Sequence, residues 1–390
     1  METCNGFDSR LRKMLDSIVV DPVAREKGRN RISRVLGGED VDCLPIVCGI
    51  PSLGQTGCSQ YSFKEQFEDG AKMLIEHIPA MAMAAASGAD GVVCMRPNFG
   101  VVFMPALFGL EWEFRDGAWP WPAGHMSREQ LEPLLEPESR ADLMRSLQGR
   151  DLMARAADYA RYFAEQLGDR ARVYLPDTQG PFDLAHLLRG NDLFLDMYDD
   201  PEFVHDLMAL VTDVFIEITR TLKRVLGEAD TECYHGHGMS SGIYMSNGGT
   251  RLSEDTVTLL SRRDIDEFVI PYTERALAAF GGGFVHYCGT NPGFFDALLE
   301  LDLVRAINLG NPEMHDMPSI ISKLMDRGRA YFGPIPLEPG EGLRAYLSRV
   351  ARLTGGEKRG LVFVPDPAVY EEAAPDIVVS EWREVQASLR

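Results

Sequence analysis

RRDIDEFVIPYTERALAAFGGGFVHYCG, Arg262 to Gly289, is the stretch that decides the fold. Arg262 to Ala279 spaces its apolar side chains as an amphipathic helix does. A run of glycines ends that pattern, and Phe284 to Cys288 follows as a short apolar strand. Eight further runs of the same kind read as strands: Leu44 to Gly49, Gly91 to Met95, Arg172 to Pro176, Thr231 to His235, Thr256 to Leu260, Val304 to Leu309, Ala330 to Phe332 and Gly360 to Val364. Most lack a polar alternation, as expected of strands covered on both faces. Helical patterns lie between them at Arg140 to Gln166, Pro201 to Val225 and Pro339 to Leu353. The clearest is Pro201 to Val225, where Asp199 and Asp200 precede a first-turn proline.

Strand and helix therefore alternate about eight times, the signature of a parallel α/β protein. A doubly wound sheet usually carries a glycine-rich first turn, and neither GxGxxG nor GxxxxGK[ST] occurs. The expectation is a (β/α)8 TIM barrel, which typically takes about 250 residues. The remainder of the 390 residues is assigned to a helical N-terminal extension over 1–43 and to a hairpin insertion at Glu111 to His125, within a barrel domain of 44–390. The insertion carries a DG turn between aromatic flanks.

Composition sets limits on function. Apolar residues make up 45% and charged residues 25%, as in an ordinary globular protein. The net charge of −20 argues against a nucleic-acid partner and against an anionic membrane surface. Seven scattered cysteines do not make a disulfide framework. No signal peptide and no membrane span are read, so a cytoplasmic location is expected.

A barrel places its active site at the C-terminal ends of its strands. Arg96 and Asn98, Asp177 and Gln179, His235 and His237, His286 and Cys288, Asn311, and Asp366 all fall there, as polar residues do at strand ends in many proteins. His286 and Cys288 alternate, so both point to one face. An imidazole beside a thiolate suits Zn²⁺, though a core histidine beside a core cysteine gives the same pattern. His235, His237 and Asp366 are the candidates for completing such a site. The remaining cysteines, Cys4, Cys43, Cys48, Cys58, Cys94 and Cys233, read as small buried hydrophobes. Arg96 suits bidentate binding of a carboxylate, or an ion pair with Asp90, Asp177 or Glu113. Ser246 to Ser261 reads as a long polar substrate loop ahead of a strand. Asp255 near its end suits either proton transfer or a turn cap.

Taken together, MRPNFG (Met95 to Gly100), DTQGPFDLAHLLRGNDLFLDMYDDPE (Asp177 to Glu202), SEDTVTLLSRRDIDEFVIPY (Ser253 to Tyr272), FGGGFVHYCGTNPGFFDAL (Phe280 to Leu298) and VRAINLGNPE (Val304 to Glu313) resemble the uroporphyrinogen decarboxylase superfamily. The resemblance runs from about Ile46 to Pro367. It implies a (β/α)8 barrel and one of two chemistries. One is metal-free decarboxylation of a carboxylated substrate. The other is methyl transfer between a small substrate and a corrinoid carried by a partner protein, often with zinc activating a thiol. The HxC pair of the methyltransferases matches His286 and Cys288. The arginine-rich signature of the true decarboxylases is missing from Ile46 to Gly57. So is their histidine in the last strand-end loop, here VFVPDP. The methyltransferase branch is therefore expected, with zinc on His286, Cys288 and one of His235, His237 or Asp366. His237 and Asp255 are then the catalytic candidates, and Arg96, Asn98, Asp177, Gln179 and Asn311 the substrate pocket.

Overall fold

The computed structural model describes residues 4–49 and 59–388. Its strands are β1 (Val92–Met95), β2 (Trp112–Glu113), β3 (Trp121–Pro122), β4 (Arg172–Val173), β5 (Cys233–His235), β6 (Ser241–Met245), β7 (Thr250–Ser253), β8 (Gly283–Tyr287), β9 (Val304–Leu309), β10 (Ala330–Ile335) and β11 (Leu361–Pro365). β7 to β11 pair in chain order, all parallel, and form half of a barrel wall. In the other half β4 runs parallel to β1. The hairpin β5–β6 lies antiparallel against β1's other edge. The halves are joined through residues 45–47: Val47 donates to the Phe363 carbonyl at 2.8 Å, and Asp90 donates to the Ile46 carbonyl at 2.9 Å. The barrel is as expected; the antiparallel β6 interrupts the plain alternation.

Alternation along each strand builds two cores. Phe284, Ala306, Ala330, Phe332, Val362 and Val364 point into the barrel and pack with Ile243 and Met245 of β6. Ile32, Val35 and Leu36 of the helix Pro22–Leu36 complete that interior core from the barrel's N-terminal end. The alternate residues, Val285, Tyr287, Ile307, Tyr331, Leu361 and Phe363, face outward beneath the helices. The longest of these helices, Pro201–Leu226, starts where Asp200 accepts the Phe203 N–H and ends on the left-handed Gly227.

Several sequence expectations are corrected. Thr256 to Leu260 is not a strand: Thr256–Leu259 is a 3₁₀ turn, and the strand is β7, inside the supposed polar loop. Arg251 and Ser253 face the barrel interior there, opposite Phe284 and His286. Arg140 to Gln166 is two helices, Pro137–Ser146 and Asp151–Leu167, divided at Arg150. The helix after β7 carries a π-helical turn, Ile265–Val269. The insertion forms the β2–β3 pair. Cys48, Cys94 and Cys233 are buried and Cys43 is half-buried. Cys58 and the loop 50–58 lie outside the described residues, as does the side chain of Cys4. No described helix is long and apolar enough to cross a membrane.

Candidate metal centre and its surroundings

On β8, Phe284 belongs to the interior core, so His286 two residues on also faces inward, near the C-terminal end of the barrel. The register sets Ser253, His286 and Asn308 side by side. Asn308 Nδ2 donates to the Phe332 carbonyl, which turns its Oδ1 toward His286 Nδ1 at 2.6 Å. His286 Nδ1 must then carry the proton, and the Nε2 lone pair faces the site. Nε2 stands 3.6 Å from Cys288 Sγ and 3.6 Å from Asp255 Oδ1.

The ligand atoms of Asp255, His286 and Cys288 lie within 4.8 Å of one another. A tetrahedral zinc, with bonds of about 2.3 Å to sulfur and about 2.1 Å to nitrogen or oxygen, holds its ligand atoms roughly 3.4 to 3.6 Å apart. The trio thus fits zinc in donor type and, on the two edges through His286, in spacing. Gly310 makes room for it, because a Cβ there would sit 2.4 Å from Cys288 Sγ. Burial pushes the Cys288 thiol up to about 12, reinforced by the Asp255 carboxylate. Burial and the Arg251 charge push His286 down to about 4.

Behind the trio lies a buried charged cluster. Arg251 Nη1 contacts Asp177 Oδ1 at 2.6 Å, and Arg96 Nη2 contacts Asp177 Oδ2 at 3.4 Å. Burial alone would raise the Asp177 carboxyl, but the two arginines hold it well below the usual carboxylate range. The Nε atoms of both arginines are buried and find no partner among the described residues. His235 and His237 are kept neutral, first by burial and then by neighbouring positive charge. The His237 ring lies 4.2 Å from that of His286, and its Nδ1 has no described partner. His237 and Gln179 are the two described non-glycine residues with positive φ, 48° and 57°. Such backbone tends to concentrate at functional sites.

The structure brings together Arg96, Asp177, His235, His237, Asp255, His286 and Cys288 from the sequence-based set. The trio's third donor is Asp255, rather than His235, His237 or Asp366. Asp366 is spent on the backbone N–H groups of Leu337 and Ala368. Asn98 accepts from Gly100 in its own turn. Asn311 braces the loop after Cys288, accepting from Gly289 and donating to Glu313. Sequence reasoning missed Arg251, Asp183 and Glu254. Placing β7 correctly would have put Arg251 on the inward face.

The uroporphyrinogen decarboxylase (URO-D) family model matches residues 27–225. None of the curated proteins compared matches the chain. Among solved structures the chain is similar to a methyltransferase from Methanosarcina mazei. The identity is 12% and the TM-score 0.65, over 93% of this chain and 98% of that one. That likeness is one of fold. The family match takes in just over half of the chain, through the arginine of MRPNFG and the aspartate of DTQGPFD that meet in the buried cluster. On that match the chain belongs to the uroporphyrinogen decarboxylase family.

Proposed function

We propose that the protein is a methyltransferase, moving a methyl group between a small substrate and a corrinoid brought by a partner protein. The observation that carries this reading is the Asp255, His286 and Cys288 trio, whose donor types suit zinc and whose two edges through His286 have the spacing of zinc ligands. When bound there, zinc would hold a thiol as thiolate, the nucleophilic form, near neutral pH. Asn308 fixes the ligand face of His286. His237, whose ring lies 4.2 Å from that of His286 and whose buried Nδ1 has no described partner, would offer the incoming substrate a neutral hydrogen-bonding group. Arg96 and Arg251 outweigh Asp177 in charge and suit an anionic group on the substrate. The fold similarity to a methyltransferase agrees with this reading.

Elemental analysis of purified protein tests it. Close to one zinc per chain, lost in Cys288→Ser, is the expected result, followed by demethylation assays with methylated substrates and corrinoid proteins. Protein that takes up no zinc when the ion is supplied sinks the metal centre.

The buried arginine pair favours one second reading, a metal-free decarboxylase that anchors a carboxylate on Arg96 and Arg251. It requires CO₂ release that chelators leave unchanged and that Arg251→Met abolishes.

A further inference from the structure

Asp183 and Glu254 are buried carboxylates that sequence reasoning passed over. Glu254 follows β7, and its carboxylate accepts from the backbone N–H groups of Phe182 at 3.4 Å and Asp183 at 3.1 Å. These belong to the first turn of the helix Pro181–Arg189. Asp183 reaches back the other way. It accepts from the backbone N–H groups of Asp255 and Thr256, both at 2.8 Å. Each acid therefore caps the segment that carries the other. Gly180 is required for the fit, since a Cβ there would fall 2.4 Å from the Glu254 carboxyl carbon.

We propose that Asp183 and Glu254 are positioning residues that lock Asp255 in place against His286 and Cys288; the inference rests on the zinc reading. The interlock fixes the backbone of Asp255 from the helix side. Asp255 Oδ1 in turn accepts the Cys288 N–H at 2.7 Å. The chain of contacts ends on the ligand atoms. No described residue forms an ion pair with either acid, so two buried carboxyl groups face each other with backbone N–H groups and the Thr256 hydroxyl, but no cation, as partners. That is a costly arrangement. Serine, threonine or asparagine would cap the same backbone at lower cost. A pair of acids is a better match to a centre that must hold a ligand carboxylate rigidly beside a cation.

The test compares full-length wild type with Asp183→Asn and Glu254→Gln, each of which keeps size but replaces an acceptor with a donor. Zinc affinity is measured by competition with a chromophoric chelator. Cobalt-loaded protein reports thiolate ligation through its charge-transfer band, and thermal unfolding of stripped protein reports stability alone. The expected result is a 10- to 100-fold loss of zinc affinity with an altered cobalt spectrum. Unchanged affinity and spectrum in both variants overturn the proposal, whatever happens to the unfolding midpoint. If Asp183→Asn does not fold, Glu254→Gln and Gly180→Ala decide on the same readouts. Wild type that binds no zinc removes the metal reading and this inference together. Wild type that binds zinc with both variants unchanged removes the inference alone.

Discussion

The backbone N–H of Cys288 donates to Asp255 Oδ1 at 2.7 Å, so one ligand of the trio holds the main chain of another. Asp255→Asn keeps that side chain's size and gives up its charge. It is expected to weaken zinc binding at least tenfold while Cys288 and His286 stay in place. Equilibrium dialysis of the variant against wild type measures the change, and equal affinities remove Asp255 from the ligand set.

Gly310→Ala alters no ligand and adds one methyl group. That Cβ would stand 2.4 Å from Cys288 Sγ and 3.2 Å from His286 Cε1. Both ligands must shift. The expected outcome is a protein with a near-native circular dichroism spectrum that retains less than a tenth of wild-type zinc affinity. Full retention would mean that the space beside Gly310 is not used by the centre.

His77 gives a pH signature remote from the trio. It is buried in the helix Gly70–Ala86, its Nδ1 lacks a described partner, and burial, helped by the Arg96 charge, pushes it down to about 4. A histidine depressed in the folded state binds its proton more tightly when unfolded. Its contribution is therefore complete above the unfolded value, near 6.5, and is lost as pH falls from there to about 4. The loss is on the order of 3 kcal/mol. Urea unfolding of wild type and His77→Leu at pH 7 and at pH 4.5 should show a smaller drop in the variant. Parallel drops contradict the assignment.

Asp90 anchors the floor of the barrel. Its Oδ1 meets Arg31 Nη1 at 2.7 Å, and its Oδ2 accepts the buried Ile46 N–H at 3.2 Å. Asp90→Ala leaves that N–H unsatisfied, while Arg31 keeps Asp42. The expected destabilisation is about 2 to 3 kcal/mol by urea unfolding. A change below 0.5 kcal/mol, roughly what a neutral surface site shows, would mean that water replaces Asp90 there.

What the sequence discloses depends on whether a residue obeys its pattern. The helix Pro201–Leu226 is legible because a cap, a first-turn proline and one apolar face agree. β9 is legible because every residue but Arg305 is buried. β7 hides because Thr250, Arg251 and Ser253 are polar yet buried, and the apolar VTLL next to them looks more like a strand. The site divides in the same way. His286 and Cys288 announce themselves by alternation. Asp255 lies 33 residues before Cys288, and only the β7–β8 register closes that distance. Arg251, Asp183 and Glu254 are charged residues in places where charge is rare, so no pattern of periodicity or spacing selects them.

The helix Pro22–Leu36 fills the barrel interior from below with Ile32, Val35 and Leu36. Among the described residues that helix closes the N-terminal end of the barrel, and the trio sits at the opposite, C-terminal end. Under the proposed chemistry, the methyl donor and the methyl acceptor would both approach from that C-terminal end. Two reactants too large to share it have to visit in turn. Traffic at the mouth, more than the bond-making step, would then set the order in which the two partners come and go.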